Sequence, residues 1–144
     1  MGKIHAELGA DVVSDRAFES ALKLNPNNAK TLAFYAYALA QRSENLEQAK
    51  KMATEANRLQ PNQATVEHAL GWVYYKLNDL KNSKIWLEKA ANNAIEAAVV
   101  EHYGDLLFRL GQTEEALSQW QRAKTLGGKS ELLNKKIVER KLYE

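Results

Sequence analysis

The fold is decided by residues 103–127, which read YGDLLFRLGQTEEALSQWQRAKTLG. Before Gly111, and again after it, apolar residues recur at steps of three and four, which is the spacing of one face of an α-helix. Gly111 and Gly127 stand where each helical pattern stops, and a glycine in the left-handed conformation commonly ends a helix. The stretch therefore predicts a helix, a tight turn and a second helix.

Similar units precede this one. Pro26 and Pro61 occupy near-identical settings, LNPN and LQPN, 35 residues apart. Such a period is typical of stacked helical repeats. Small residues recur with nearly the same step, at Ala21, Ala56, Ala90 and Ala123. The one-residue differences in spacing fall in the turn 42–45 and the linker 92–97, so the changes of length are confined to loops.

The periodicity predicts eight helices and no strand. Seven belong to the repeated units, at Val12–Leu24, Ala29–Arg42, Leu46–Leu59, Ala64–Leu77, Leu80–Ala91, Ala97–Leu110 and Thr113–Leu126. An eighth, amphipathic helix occupies Ser130–Lys141, with Ser130 as its N-cap. The chain is therefore predicted to be all-α.

Two of these units resemble the consensus of the tetratricopeptide repeat family, in which Leu-Gly and Tyr on a first helix are followed by Ala, an aromatic residue and Ala on a second. The earlier unit matches at Leu70-Gly71, Tyr74, Leu80, Leu87 and Ala90. The later unit matches more closely, at Tyr103-Gly104, Leu107, Gly111, Ala116, Trp120 and Ala123. The resemblance covers Lys3 to Leu126 and implies a right-handed α–α superhelix with a C-terminal capping helix.

The chain departs from the family pattern at three places. Ala36 replaces a glycine, Ser83 replaces an alanine, and the linker before Ala97 lacks the usual proline. We expect altered angles between repeats there. Gly71 and Gly104 keep the pattern: a glycine within a helix costs about 1 kcal/mol relative to alanine, which is tolerable where its missing side chain lets two helices approach closely.

We expect a single array over residues 1–144, composed of a partial repeat at 3–28, full repeats at 29–63, 64–96 and 97–128, and a capping helix at 129–144. Leu8-Gly9 precedes Ala21 by the spacing with which Gly111 precedes Ala123. Lys3–Leu8 is therefore interpreted as the end of a truncated first helix. Because stacked repeats bury their faces against neighbours, we expect the native protein to extend upstream.

Composition restricts the partner class. The net charge is only +2, from 20 basic and 18 acidic residues, so no concentrated positive field favours nucleic acid. No apolar run reaches the ~20 residues that a membrane-spanning helix needs. The chain has no cysteine, which excludes disulfides and thiolate chemistry. The residues leave the compartment open between cytoplasm and, if a signal sequence lies upstream, periplasm or envelope.

The sequence offers little chemistry. Glu67-His68 and Glu101-His102 place two imidazoles and two carboxylates 34 residues apart, but ordinary solvated or hydrogen-bonded histidines are the more frequent reading. Asp105 and His102 could pair as a catalytic base and the group that orients it, but no sequence motif marks a nucleophile for them. No glycine-rich loop would hold a phosphate. We therefore predict no catalysis, no metal and no cofactor.

The resemblance implies that the first helix of each repeat builds a concave groove for a partner segment. The predicted groove residues are Tyr37, Gln41, His68, Trp72, Tyr75, Lys76, Glu101, Asp105, Phe108 and Arg109. Aromatic anchors with charged neighbours are typical of protein-binding hot spots. The alternative is that the aromatic members merely pack between repeats. Chaperone-type members of this family hold a partner's C-terminal carboxylate with an asparagine and lysines on this face. Tyr37 and Trp72 occupy the asparagine position in this chain, so such a ligand is not favoured.

The sequence thus predicts a non-enzymatic scaffold that binds a protein or peptide, in a bacterial assembly or envelope context. One alternative is self-association through the N-terminal edge or the Trp86 face. Another is an RNA-binding helical repeat, against which Glu101 and Asp105 argue. Within this prediction Trp120 belongs to the core, whereas Trp72 lies on the groove.

Overall fold

The computed structural model describes residues 15–143, and all regular structure within them is helical. Helix α1 covers residues 15–24. The remaining helices are α2 Ala29–Arg42, α3 Leu46–Leu59, α4 Ala64–Lys76, α5 Leu80–Asn92, α6 Ala97–Arg109, α7 Thr113–Thr125 and α8 Glu131–Glu139. Among these helices, none is long and apolar enough to cross a membrane.

The predicted helices are confirmed to within a residue or two wherever the structure describes them. The bounds of α2 and α3 are those expected, and α4, α6 and α7 end one residue early. The predicted start at Val12 and the predicted helix remnant Lys3–Leu8 lie outside the described residues. The boundaries of the repeats stay a prediction.

The helices pack as the pairs α2/α3, α4/α5 and α6/α7, and successive pairs stack on one another. Helix α4 contacts both helices of the preceding pair, and α8 packs on α7. One buried apolar cluster runs through all three pairs to Leu133 of α8. The chain is therefore a solenoid whose core is shared between neighbouring pairs.

Two glycines set the distance between the helices of a pair. A side chain at Gly104 would place its Cβ 2.5 Å from Cδ1 of Trp120, and one at Gly71 would lie 2.7 Å from Cγ of Leu87. Both partners are fully buried. The expectation that these glycines allow close approach is confirmed, because the large side chain on the second helix fills the space that the glycine leaves.

The turns inside the pairs use left-handed residues. Gly111 closes α6/α7 with φ 82°, and Asn78 takes the same conformation in α4/α5 with φ 63°. Two left-handed residues, Ser43 and Asn45, lie in the longer α2/α3 turn. The extra residue located there by the repeat spacing is thus absorbed by a second left-handed position.

The departure from alanine at Ser83 has a local cause. Its buried hydroxyl donates a hydrogen bond of 2.8 Å to the backbone carbonyl of Gly71 on the facing helix. A buried hydroxyl without a partner would destabilise the fold, whereas this one is satisfied at the point of close approach. The serine therefore fits where alanine is usual.

The Gly104–Trp120 contact generates a stability prediction. We expect Gly104→Ala to destabilise the fold by about 1–2 kcal/mol, since overpacking against a buried ring outweighs the gain in helix propensity. Urea unfolding followed by circular dichroism measures it. Ser118→Ala, at an exposed position of α7, is the matched control and should be neutral or slightly stabilising. An unchanged or increased stability of Gly104→Ala would show that the contact is not tight.

Candidate protein-binding face

Helices α2, α4 and α6 form one continuous surface, here called the first-helix face. Helix α2 packs along α4, and α4 meets α6 through the side chains of His68, Trp72 and His102. The residues that face the neighbouring first helix repeat every four positions along α4, so they lie on one side of that helix. This spacing places His68, Trp72 and Lys76 in a row.

A stack of rings crosses the first-helix face from α2 to α6 and back to α4. This ring column consists of Tyr37, His68, His102, Trp72 and Tyr75. The centroids of Tyr37 and His68 are 5.0 Å apart, and those of the two histidines are also 5.0 Å apart. The indole of Trp72 lies 3.8 Å from His102 and 4.4 Å from Tyr75, nearly parallel to both. The column ties the three first helices together.

Polar side chains close the column at its far end. The indole nitrogen of Trp72 donates a 2.8 Å hydrogen bond to Gln41 on α2. The ammonium of Lys76 lies 5.2 Å above the Trp72 ring, and the guanidinium of Arg109 lies 4.8 Å from the ring of Tyr75. Cations held over aromatic rings stabilise such an arrangement modestly. These contacts are already made within the chain.

The two histidines at the centre of the column form a neutral pair. Nε2 of His68 and Nδ1 of His102 are 2.8 Å apart, so one nitrogen donates and the other accepts, according to the tautomer. Burial lowers the pKa of His68 to about 4. Burial also lowers the pKa of His102, and the neighbouring His68 and the ammonium groups of Lys136 and Lys76 add to this effect. The pair is therefore uncharged at neutral pH.

Beside the column, α8 inserts a lysine between two acidic residues of α6. The ammonium of Lys136 lies 2.6 Å from Glu101 and 2.9 and 3.2 Å from the two carboxylate oxygens of Asp105. The indole nitrogen of Trp120 donates to Asp105 at 3.0 Å. Lys136 and Asp105 are buried, with 2% and 3% exposed. One buried network thus links α6, α7 and α8.

Burial and charge act in opposite directions in this network. Burial raises the pKa of Asp105 to about 7, against the attraction of Lys136 and the hydrogen bonds from Lys136 and Trp120. Burial alone would lower the pKa of Lys136, but Asp105 and Glu101 outweigh it and raise that pKa. The Lys136–Asp105 contact is an ion pair, because the ammonium lies within hydrogen-bonding distance of both carboxylate oxygens.

Nine of the ten predicted groove residues lie in or beside the ring column and the Lys136 network. Phe108 lies apart, with its ring 5.8 Å from Trp120 inside the α6/α7 pair. Trp72 and Tyr75 are only 4% and 1% exposed. Trp72 is therefore packed within the array, which agrees with the alternative that the aromatic residues pack between repeats. That a partner contacts these ten residues stays a prediction.

The carboxylates of the Glu-His pairs do not converge on the imidazoles. Glu67 is fully buried, and the ammonium of Lys89 on α5 lies 3.1 Å from its carboxylate. Glu101 is held by Lys136. Within residues 15–143 no group of three or more histidine, cysteine or acidic side chains is placed to hold a metal ion. The two histidine rings pack against each other between α4 and α6.

An open cleft of ≈ 560 Å³ lies at the beginning of the first helices. This Ile95 cleft is bounded by the first two turns of α2, by the start of α4 and by residues 93–99. Phe34 and Ile95 stand on opposite walls and are 44% and 86% exposed. Tyr37 and His68, the first two rings of the column, also line it. The cleft thus continues the ring column outward to solvent.

Sequence reasoning missed Lys136, Phe34 and Ile95 as site residues, although each left a signal. Lys136 interrupts the apolar stripe of Leu133 and Ile137, so it had to lie on the buried face of α8. Phe34 is a large apolar residue outside the core phase of α2, and Ile95 is a lone apolar residue in a polar linker. Exposed apolar residues of this kind often mark interaction surfaces.

The Lys136 network predicts a large loss of stability on Lys136→Met, by about 3–5 kcal/mol, because the Asp105 carboxylate would be left buried without its cation. Urea unfolding measures it. Lys129→Met, at an exposed position before α8, is the control and should stay within about 0.5 kcal/mol. Adding Asp105→Asn to Lys136→Met should recover part of the loss. No recovery would mean that Lys136 acts through packing and not through its charge.

The histidine pair predicts a fall in the free energy of unfolding as the pH is lowered from about 7 to 5. An unfolded histidine takes up its proton near pH ~6.5, whereas His68 does so only near pH 4 in the fold, so the unfolded state binds more protons between these values. His68→Gln should remove about 1–2 kcal/mol of this dependence, measured by urea unfolding at both pH values. An NMR titration of His68 at its ordinary pKa would contradict the assignment.

Comparison with known proteins bears on this arrangement. A family model of the tetratricopeptide repeat matches residues 68–94, which span α4, α5 and the start of the next linker. A TPR repeat-containing protein of Pseudomonas aeruginosa is 26% identical over 80 residues, covering 56% of this chain and 14% of that protein. The chain thus spans about one seventh of the length of this curated relative.

Solved structures share the fold over most of the chain. A thermophilic TPR protein of Thermus thermophilus superposes with a TM-score of 0.75 at 20% identity, covering 96% of this chain and 76% of that one. YrrB, described as a TPR protein with an unusual peptide-binding site, gives a TM-score of 0.65 at 28% identity, covering 77% and 57%. Residues 68–94 thus match a tetratricopeptide repeat, and the chain as a whole shares the solenoid fold of these solved structures.

Proposed function

We propose that this chain is a non-enzymatic scaffold that binds a segment of a partner protein on its first-helix face. The tetratricopeptide fold generally serves protein–protein interaction, and proteins of this family are generally non-catalytic. The peptide-binding site of YrrB, a protein with the same fold, supports the proposal that the bound segment is a peptide.

The observation that carries the proposal is the Ile95 cleft. It opens on the first-helix face, it is lined mainly by apolar side chains, and it has a volume of ≈ 560 Å³, within the range of ~300–1,000 Å³ typical of ligand pockets. Exposed apolar side chains stand on both of its walls. A partner segment would remove this surface from water, which is the main driving force of protein association.

Self-association is the alternative, and a second apolar surface supports it. Leu80, Ile85 and Leu110 lie together on the side formed by α5 and the end of α6, with Ile85 55% exposed. Trp86 is next to Ile85 on α5 and only partly buried. The N-terminal edge that the sequence also suggests for self-association lies outside the described residues. RNA binding has less support, because the chain's net charge is only +2.

The test uses a phage-displayed library of random peptides of about 12 residues, long enough to cross the face at ~3.3 Å per residue. Selected peptides are synthesised, and their affinities are measured by fluorescence polarisation. We expect at least about tenfold weaker binding to Ala98→Trp, which fills the Ile95 cleft, or to Arg109→Glu at the far end of the face.

Ile85→Ser is the matched control on the other surface and should leave the affinity unchanged. Peptides that bind both face variants as tightly as the wild type would contradict the proposed face, as would peptides that are lost only with Ile85→Ser. Sedimentation of the unliganded chain at increasing concentration decides the alternative: association that Ile85→Ser abolishes would favour the self-association module.

A further inference from the structure

Within residues 15–143, the Ile95 cleft is a part of the first-helix face that leaves large apolar side chains exposed. Deeper along the face, Trp72 and Tyr75 are buried in the ring column, and Asp105 is covered by Lys136 of α8. In the cleft, by contrast, Phe34 and Ile95 keep 44% and 86% of their surface exposed. A partner therefore gains most apolar contact in the cleft.

Several of the side chains that line the cleft are short. They are Ala33 of α2, Ala69 of α4, and Ala98 and Val99 of α6, and the rings of Tyr37 and His68 also line the cleft. Short side chains leave room for a large apolar side chain from outside. Burial of one such side chain supplies the kind of anchor that dominates peptide binding.

The rims of the cleft carry opposite charges. Lys30 stands on the α2 rim, with its ammonium 5.8 Å from the ring of Phe34, and Glu96 stands on the α6 rim beside Ile95. Both are exposed, and neither forms an ion pair with any of residues 15–143. The charges of a bound segment can therefore contribute to its recognition, in addition to its apolar anchor residue.

We infer, building on the proposed function, that the Ile95 cleft selects a peptide segment with a large apolar anchor between an acidic residue and a basic residue. The anchor lies between Phe34 and Ile95, the acidic residue faces Lys30, and the basic residue faces Glu96. The two rims are two helix spacings apart, about 16–20 Å at ~8–10 Å each. An extended chain covers this distance in about five or six residues, which sets the separation of the two charges.

The same library of random peptides tests the inference. Selected sequences should share the acidic, apolar and basic order, and their affinity should fall at least about tenfold with Phe34→Ser or Ile95→Ser. Lys30→Glu and Glu96→Lys should each weaken binding, whereas the double variant should bind a peptide with its two charges exchanged better than the original peptide. Lys84→Glu, at a charged position of α5 outside the cleft, is the control.

The outcomes separate this inference from the proposed function. If peptide binding depends on Arg109 but not on Phe34, Ile95 or the two rim charges, the Ile95 cleft is not the binding site, whereas the proposed first-helix face is retained. Peptides that need the anchor but ignore the double charge exchange would overturn the charge order. Self-association abolished by Ile95→Ser would make a second copy of the chain the occupant, which also overturns it. Peptides insensitive to every variant on the face would overturn the proposed function itself.

Discussion

The contact between Trp120 and Gly104 organises the C-terminal half of the molecule. The indole ring fills the space that a side chain at residue 104 would need, so α6 and α7 can approach only because that side chain is missing. The same ring carries its own polar requirement, since a buried indole N–H must find an acceptor. Asp105 supplies it, and the buried carboxylate in turn requires the ammonium of Lys136. The close contact between α6 and α7 thus requires a cation from a third helix, α8.

The fold could be predicted from the sequence because its determinants are local. Helical spacing, the glycines at 111 and 127 and the repeated small residues each act within a few positions of the chain, and the structure places both glycines in the left-handed conformation. Ser83 shows the limit of such reasoning even within the fold. Its replacement of alanine reads as a departure, and only the facing carbonyl of Gly71 explains it.

The candidate site was less predictable because it depends on contacts between helices that are far apart in sequence. The position of Trp72 beside Gly71 predicts that it lies on the groove, but this position does not reveal the ring of His102 from the next pair that stacks on it. Asp105 shares the phase of a groove residue, yet the side chain that reaches it lies 31 positions later. Periodicity identifies the face on which a side chain lies, but not the side chains from other helices that cover it.

The buried lysine of α8 also has a consequence for the modular character of the array. Repeat proteins can in general be lengthened or shortened by whole units, because each unit meets its neighbours through interchangeable apolar surfaces. Here the surface of α6 that α8 covers holds two carboxylates, Glu101 and Asp105, and both need a positively charged partner. A helix grafted after α7 must therefore provide a lysine or arginine at the depth of Lys136. The last junction of this array accepts only a helix of the right charge, whereas its earlier junctions are specified mainly by shape.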